Sequence, residues 1–572
     1  MAYKTISARI SGKSVNEYRV VVAKNPSETV LFAANELISY LNKATGFKQE
    51  LVYDESTASD AEILVGATNR RDVRDDLGTD DFEIAAYPGQ LSLYGGSDRG
   101  TLYAVYTYLE KYIGWRWFNY DAEIIRDKIS HDIFAGDKII ERPVLNFRDC
   151  MYWDTKTRPS MRVKLKLNAE NIPDNMGGCL GYNGFCHTFS SLCPPKEYFE
   201  SHPEYYALRN GKRTTNQLCI SNPDVLKIVT ENALKRLRTS KKAFISISQN
   251  DNCDYCTCDK CRAIDEEEGS PSGAMLRFVN AVAEEIEKEF PDVLVDTLAY
   301  QYTRHLPAKT KPRHNVAVRL CSYECCFRHP LYDPHCESNT AFCKDVEDWS
   351  TVCNNLYIWD YVTDFSHFSM PLPNLSILRE NMRFFADHNT KGMLTLGAHT
   401  GLGADLCELK TYLLCKLLWN PYMSEEEYEY HIEDFLEGFY GNGWQYIREY
   451  ISILNDTTYD EHIHCFSHPY GYFEKFAPHL DEVFSLFDKA EALAETPEQK
   501  KRVRIARIAP AYISICFHHD ERKNAGGESA EKLLCDKKQF LNEFTELGLR
   551  RCEWFNYDTP EKTNIDGDPV NW

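Results

Sequence analysis

Residues 316–321 read VAVRLC, a short apolar run typical of a buried β-strand. Residues 243–248 (AFISIS) and 356–359 (LYIW) have the same character, and a helix-compatible stretch follows each of the three. Strands that alternate with helices predict a parallel sheet. From residue 147 onward this rhythm gives eight strand candidates, namely 147–153, a poorly defined one near 178–185, 217–220, 243–248, 294–299, 316–321, 356–359 and 393–396. Eight strands over roughly 275 residues match a (β/α)8 TIM barrel.

The chain divides into three predicted domains. Residues 1–140 contain a strand at 18–22 (YRVVV) and helical apolar spacing at 30–43, which indicates a small α/β domain. Residues 141–422 form the predicted barrel. Residues 423–572, after Asn420-Pro421, carry only helical spacing and predict an α-helical C-terminal domain. The fold class is therefore α/β, with a TIM barrel between a small α/β domain and a helical domain.

Three acids follow strand candidates of this barrel. Asp251 comes shortly after residues 243–248, Glu324 after 316–321, and Asp360 directly after 356–359. Because all strands of a parallel barrel open at their carboxyl ends onto one face, we expect these acids around one pocket.

Glycoside hydrolysis uses two carboxyl groups, one that protonates the leaving oxygen and one that acts as nucleophile, base or stabiliser. In a substrate-assisted variant the second acid orients the 2-acetamido group of the sugar. Either scheme is served by acids at the ends of neighbouring strands, such as Glu324 and Asp360. The alternative is structural: an acid after a strand caps the next helix or pairs with an arginine, and Arg319 is at hand in residues 316–321.

Composition restricts the partners. The 572 residues carry a formal charge of −21, which repels phosphate backbones and argues against nucleic acid and anionic membranes. No apolar run is long enough for a transmembrane helix. The N-terminus shows no secretory h-region, and 21 scattered cysteines, an odd number, are typical of a reducing compartment. We expect a cytoplasmic protein.

Four cysteines lie within nine residues just after Asp251, in the spacing C-x2-C-x-C-x2-C. They are Cys253, Cys256, Cys258 and Cys261. Four thiolates can surround a tetrahedral Zn²⁺, which would then be structural because no coordination position stays open. Unligated thiols that pack a loop, and redox chemistry, are the alternatives. We expect no cofactor to be required for catalysis.

Several motifs together resemble one known family. Residues 90–117 (QLSLYGGSDRGTLYAVYTYLEKYIGWRW) resemble the non-catalytic α/β domain that precedes the barrel in β-hexosaminidases and α-glucuronidases. The barrel motifs resemble glycoside hydrolase family 163, formerly a domain of unknown function. They are HTFSSLCPPKEYFESHPEYYALRNGKRTTNQLCISNPDV, SQNDNCDYCTCDKC, SGAMLRFVN, DTLAYQYT, RLCSYECCFRHPL, NLYIWDYVTDF and KLLWNP. The resemblance covers roughly residues 15–440.

The resemblance implies a retaining endo-β-N-acetylglucosaminidase that cleaves a β-linked N-acetylglucosamine in complex N-glycans or related oligosaccharides. It implies an acidic centre of Asp251, Glu324 and Asp360, in which Glu324 protonates the leaving group and Asp360 orients the acetamido group. Further residues are implied as sugar contacts. They are His187, Glu204, Gln217, Asn250, Tyr300, Trp359 and Tyr361.

One departure from the family pattern keeps other functions open. Relatives often carry an acid near the end of the eighth strand, whereas residues 394–399 read LTLGAH here and the next acid is Asp405. A non-catalytic carbohydrate-binding protein on a degenerate hydrolase barrel is therefore the alternative. A metal-dependent hydrolase that uses the cysteine cluster ranks last, because zinc saturated with thiolates is usually structural.

Overall fold

The computed structural model describes residues 5–126, 130–467, 472–517 and 519–550. Its N-terminal region is built around a six-stranded mixed sheet and two helices. Helix α1 (Glu28–Thr45) begins after Ser27, whose side chain accepts the Val30 N–H, and is followed by Gly46 in the left-handed conformation. The strands are β1 (Arg9–Ile10), β2 (Lys13–Ser14), β3 (Arg19–Val22), β4 (Leu51–Tyr53), β5 (Glu62–Val65), β6 (Phe82–Tyr87), β7 (Gln90–Gly95), β8 (Trp115–Asn119), β9 (Ala122–Ile125), β10 (Asp132–Ile133) and β11 (Lys138–Glu141), and the helices are α1 (Glu28–Thr45) and α2 (Asp98–Tyr108).

Strands and helices alternate through the middle of the chain, as the sequence predicts. The strands are β12 (Phe147–Met151), β13 (Tyr182–Asn183), β14 (Tyr206–Arg209), β15 (Lys212–Leu218), β16 (Phe244–Ser246), β17 (Leu294–Ala299), β18 (Val316–Cys321), β19 (Leu356–Tyr361) and β20 (Thr390–Leu396). The helices are α3 (Trp153–Thr157), α4 (Pro159–Lys164), α5 (Phe189–Leu192), α6 (Pro195–Tyr198), α7 (Pro223–Thr239), α8 (Asp259–Glu268), α9 (Pro271–Glu287), α10 (Glu337–Ser350), α11 (Leu378–Asp387) and α12 (Cys407–Trp419).

Seven of these strands form one parallel sheet that curls into a half-barrel, in the order β12-β20-β19-β18-β17-β16-β13. The predicted strand at 217–220 is wrong: β15 ends at Leu218 and pairs antiparallel with β14 in a separate hairpin. Its polar residues, KRTTNQL, suit a two-stranded ribbon whose outer face meets water rather than a barrel strand covered on both faces.

Asn168 bridges the two outer strands of the sheet. Its N–H donates to the Arg148 carbonyl in β12 at 3.2 Å, and its own carbonyl accepts the Leu180 N–H just before β13 at 2.8 Å. Its side-chain oxygen accepts the Arg148 N–H at 2.9 Å. A single buried residue outside the named strands thus links both edges, and aromatic rings of Phe147 and Tyr182 pack across the gap with centroids 5.8 Å apart.

The C-terminal region is helical, as predicted. Its helices are α13 (Glu425–Tyr440), α14 (Trp444–Thr457), α15 (Leu480–Leu493), α16 (Pro497–Cys516), α17 (His519–Asn524) and α18 (Gly527–Glu546). Among the described residues, we find no helix with the length and apolar character needed to cross a bilayer.

Candidate active site

Alternate residues of β18 and β19 define the inner face of the curled sheet. Trp359 and Tyr361 lie on one side of β19, with ring centroids 6.3 Å apart and planes inclined by 17°. The Arg319 guanidinium of β18 lies 5.4 Å from the Trp359 ring. It forms a buried ion pair with Asp296 of β17 at 2.6 Å. Because side chains alternate along a strand, Trp359 and Tyr361 face the interior of the curled sheet. The Arg319–Asp296 ion pair lies below them, further from the carboxyl ends of the strands.

Glu324 lies at the rim after β18, where Arg304 positions it. Nη1 of Arg304 is 3.1 Å from Oε2 of Glu324, and its Nε is 2.8 Å from Oδ2 of Asp345. The Trp349 indole donates to the Arg304 carbonyl at 2.7 Å, which fixes the arginine from behind. The Glu324 side chain remains 37% exposed. It is therefore a held carboxylate that a ligand can reach.

Asp251 and Glu324 flank one group of phenols. Burial raises the pKa of Tyr300, and the charge of Asp251 raises it further. Burial also raises the pKa of Tyr323, to which the charges of both Asp251 and Glu324 contribute. The two tyrosine rings meet edge to face with centroids 5.5 Å apart. The structure thus brings Asp251, Tyr300 and Glu324 together around Tyr323.

Two residues beside Tyr300 have left-handed backbone conformations, which residues other than glycine rarely adopt. They are His187, with φ of 52°, and Gln301, with φ of 53°. The His187 Nδ1 lies 2.8 Å from the Gln249 carbonyl, and the Gln301 amide donates to the Tyr300 hydroxyl at 3.1 Å. Such positions occur at functional sites, and six further non-glycine residues of the described chain adopt positive φ at other places.

The C-terminal region contributes a segment to the site that the sequence analysis missed. The Phe327 N–H donates to the Ile463 carbonyl at 2.7 Å, and the Phe365 N–H donates to the Cys465 carbonyl at 2.8 Å. These bonds carry His464 to within 5.2 Å, between ring centroids, of Tyr323. No periodicity in the sequence marks residues 463–467, because the contacts join residues that are at least 100 positions apart in the chain.

Glu170 is a second residue that the sequence analysis missed. It follows the Asn168 bridge, and its Oε1 accepts the Tyr182 N–H at 3.3 Å. Burial raises the pKa of its carboxyl, and the Asp149 charge adds to this effect. Residues 167–170 lack a strand-like apolar run, so nothing in the sequence places an acid at this point of the rim.

Asp360 lies on the other side of β19. The strand continues to Tyr361, so Asp360 lies within it rather than after it, and its side chain points away from that of Trp359. Ser322 donates to Oδ1 of Asp360 at 2.6 Å. Only 9% of the residue is exposed, and burial raises the pKa of its carboxyl to about 6. The structure does not bring Asp360 to the inner face with Trp359 and Tyr361.

The raised pKa of Asp360 predicts a pH-dependent stability. Between pH 4 and pH 6 the folded chain binds a proton that the unfolded chain releases, so stability from this group is greatest below pH 4 and falls as the pH rises through 6. The loss by pH 7 is about 3 kcal/mol. We expect Asp360→Asn to flatten the pH dependence of the unfolding free energy by this amount, measured by denaturation at several pH values. An unchanged slope would contradict the burial of an ionisable Asp360.

Three other predicted sugar contacts have different surroundings. Gln217 is buried, and its amide donates to the Asn250 carbonyl at 2.7 Å while its oxygen accepts the Asn250 N–H at 3.0 Å. Asn250 in turn donates to the Asn216 carbonyl at 2.7 Å. These two residues therefore build the loop that carries Asp251. Glu204 is exposed in a separate loop and pairs with His202 at 3.1 Å.

The thiol cluster has a different membership from the predicted one. Four sulfur atoms lie within 4.8 Å of one another, and they belong to Cys219, Cys256, Cys258 and Cys261. Cys253 is wrong as a member: it is exposed, and its thiol donates to the Gln301 side chain at 3.1 Å. Cys219 takes its place because the β14–β15 hairpin folds onto the loop, which puts its sulfur 3.7 Å from that of Cys258. Local spacing could not reveal a cysteine 37 residues upstream of Cys256.

Comparisons with known proteins give one family match and several similar solved structures. The family described as "Domain of unknown function (DUF4838)" matches residues 130–452. No curated protein sequence matches the chain. Among solved structures, a family GH115 4-O-methyl-α-glucuronidase with specificity for decorated arabinogalactans is 12% identical, with a TM-score of 0.61 over 94% of this chain and 77% of the other. A β-N-acetylhexosaminidase from Bacteroides fragilis is 12% identical, with a TM-score of 0.45 over 76% of this chain and 92% of the other.

At such identities the glucuronidase likeness shows a shared fold and nothing of the activity. The family match is of another kind, because it rests on the sequence and spans more than half of the chain. It includes the whole curled sheet and helix α13, and it ends within α14. The chain therefore belongs to the DUF4838 family.

Proposed function

We propose that the protein is a glycoside hydrolase whose active site is the rim formed by the carboxyl ends of the parallel strands. One observation carries the proposal: two accessible carboxylates, Asp251 and Glu324, flank an aromatic cluster at this rim. Most glycoside hydrolases use a pair of carboxyl groups for this reaction. With Asn168 as the link between β12 and β13, we interpret the sheet as a (β/α)8 barrel, whose active sites lie at this end.

The aromatic side chains offer a surface for a sugar ring. Trp359 and Tyr361 stack side by side on the inner face, and Tyr323 meets Tyr361 with centroids 5.8 Å apart. The Trp359 indole N–H is buried and has no hydrogen-bond partner among the described residues. A buried donor without a partner in the protein is available to a ligand hydroxyl.

We assign the leaving-group proton to Glu324 and the second carboxylate role to Asp251. Asp360, the other sequence-based candidate for the second role, is turned to the opposite side of β19 and is engaged by Ser322. In this proposal Asp360 positions the strand end, and Asp360→Asn retains most of the turnover. Burial and then the charge of Asp251 raise the pKa of Tyr300, and we assign this phenol the role of orienting the Asp251 carboxylate.

The family resemblance suggests the substrate class. The proposed substrate is a β-linked N-acetylglucosamine in an N-glycan-type or related oligosaccharide, cleaved with retention. The sugar's own acetamido oxygen then attacks the anomeric carbon while Asp251 orients the acetamido N–H, and Glu324 protonates the departing oxygen. Water then attacks the anomeric carbon from the face that the leaving group vacated, with Glu324 as the base, and the bond between that carbon and the acetamido oxygen breaks.

A screen of the purified chain against 4-nitrophenyl glycosides and a labelled complex N-glycan tests this proposal. We expect release from the β-N-acetylglucosaminide or from the glycan. Turnover of a different glycoside would keep the hydrolase and overturn the substrate. Binding of sugars without turnover of any glycoside would instead favour a non-catalytic carbohydrate-binding protein. This is the second candidate function because residues 394–398 read LTLGA, so no acid follows at the end of β20.

We also propose that the thiols of Cys219, Cys256, Cys258 and Cys261 hold a structural Zn²⁺. Four sulfur ligands within 4.8 Å of one another suit a closed tetrahedral site. Such a site would fix the β14–β15 hairpin to the loop that begins with Asp251. It has no part in the chemical step.

A further inference from the structure

A second group of metal-ligating side chains lies outside the proposed active site. Its members are Cys326, His329, Cys336 and His462. One ligand atom from each lies within 4.8 Å of all the others. The first three come from the loop after β18 and the start of α10, whereas His462 comes from the segment after α14. The group therefore joins the central sheet to the C-terminal region.

The distances within this group fit one tetrahedral ion. The Cys326 sulfur lies 3.4 Å from Nδ1 of His329, and the Cys336 sulfur lies 3.6 Å from Nδ1 of His462. In a tetrahedral Zn²⁺ site with ordinary bond lengths, a sulfur and a nitrogen ligand are about 3.6 Å apart. The structure therefore shows two edges of the tetrahedron at the expected length.

The second ring nitrogen of His329, Nε2, has the hydrogen-bond acceptor that metal-binding histidines usually have. Its Nε2 lies 2.9 Å from the Tyr459 carbonyl, an acceptor only, so Nε2 carries the proton and Nδ1 keeps its lone pair. Outer hydrogen bonds of this kind fix the tautomer and the ring orientation of a ligating histidine. The His329 and His462 rings lie with centroids 4.6 Å apart and planes inclined by 60°.

The loop that carries these ligands is rigidly built. The buried Asn339 side chain accepts the Cys326 N–H at 2.8 Å and donates to the Cys326 and His329 carbonyls at 3.1 and 3.0 Å. The buried Arg328 donates to the carbonyls of Thr458 and Asn455 at 3.1 and 2.8 Å. Hydrogen bonds therefore hold the loop after β18 and the segment after α14 in place independently of any ion.

We propose that Cys326, His329, Cys336 and His462 bind a structural Zn²⁺. Two thiolates and two imidazoles in tetrahedral arrangement favour Zn²⁺ over Mg²⁺ and Ca²⁺, which take oxygen ligands. With four protein ligands the ion has no open position and takes no part in a reaction.

The ion would clamp residues 458–463 onto the loop after β18. Glu324 precedes the first ligand by two residues, and His464 follows the last by two. Both His464 and Phe466 pack against Tyr323, with centroids 5.2 and 5.7 Å away. The clamp therefore sets the position of the segment that covers one side of the rim.

Metal analysis of the full chain tests the proposal. We expect His462→Ala to contain about one zinc equivalent less per chain than the wild type, by plasma mass spectrometry after growth with zinc. His462 is exposed, so its loss leaves the core intact. The matched control is His335→Ala, an exposed histidine next to Cys336 in sequence that is outside the group, and its zinc content should equal that of the wild type.

A second measurement uses Co²⁺ added to the metal-free chain. Wild type and Cys219→Ser should both show the absorption bands of a tetrahedral cobalt site with sulfur ligands, and Cys336→Ser combined with Cys219→Ser should show none. Equal zinc content in wild type and His462→Ala would overturn the proposal. So would a Cys326–Cys336 disulfide in the metal-free protein as purified, found by peptide mass mapping.

Discussion

Glu324→Gln should lower kcat by about 10²–10⁴-fold, the range for loss of a general acid, on a cleaved glycoside whose leaving group is poor. Glutamine has the size of glutamate and can still accept a hydrogen bond from Arg304, so the fold and the aromatic surface remain. The expected change is in kcat, while KM changes little, because the missing proton transfer belongs to the transition state. Steady-state kinetics with an oligosaccharide substrate and with a 4-nitrophenyl glycoside would measure both for a poor and a good leaving group.

Glu347→Gln is the matched control for this experiment. Glu347 is an exposed glutamate of α10, and the substitution makes the same chemical change away from the rim. Its kcat should equal that of the wild type. An activated aryl substrate needs less help from an acid, so the Glu324→Gln defect should shrink as the leaving group improves. A Glu324→Gln enzyme with wild-type kcat on a poor leaving group would exclude Glu324 as the acid.

Asp80→Ala should destabilise the fold by about 3–5 kcal/mol, the cost of removing one partner of a buried ion pair. Asp80 is buried and receives hydrogen bonds from Arg99, Arg148 and Asn168 at 2.7, 2.6 and 2.8 Å. The variant leaves two guanidinium groups without their carboxylate. It also removes the support of Asn168, the residue that bridges β12 and β13, so the damage would reach the central sheet.

The stability that the ion pairs of Asp80 contribute depends on pH with the opposite sign from that of Asp360. Burial opposes ionisation of Asp80, but the charges of Arg148 and Arg99 outweigh it and hold the pKa of the carboxyl below its ordinary value. Its stabilisation is present above about pH 4 and is lost as the pH falls through the lowered pKa. Thermal unfolding at pH 7 should give a lower midpoint for Asp80→Ala than for the exposed control Asp75→Ala. Equal midpoints for both variants would contradict the proposed role.

The strands of the central sheet were predictable because their signal is local. β17 and β18 have the predicted ends, and each short apolar run elsewhere in the sheet lies at or next to a strand. The third predicted strand failed because the apolar residues 218–220 follow a polar ribbon, at the point where the β14–β15 hairpin enters the core. The bridge at Asn168 replaces a strand with one residue, and no periodicity can arise from one residue.

The candidate site was predictable in part, for a different reason. Glu324 and Asp251 follow strands, so topology alone brings them to one rim. Asp360 follows the same rule in sequence, but β19 extends two residues further than its apolar run, and alternation then turns the side chain outward. Cys219, Glu170 and His464 reach their places through tertiary contacts that short-range patterns do not encode.

A crystal structure of Glu324→Gln with the glycoside that the wild type cleaves fastest would test the central claim most directly. We expect a sugar ring against Trp359 and Tyr361, with the scissile oxygen within hydrogen-bond distance of the residue 324 amide and Asp251 on the other side of the bond. A sugar bound elsewhere on the chain, or one whose scissile bond lies out of reach of both residues, would contradict the assignment of this rim as the active site.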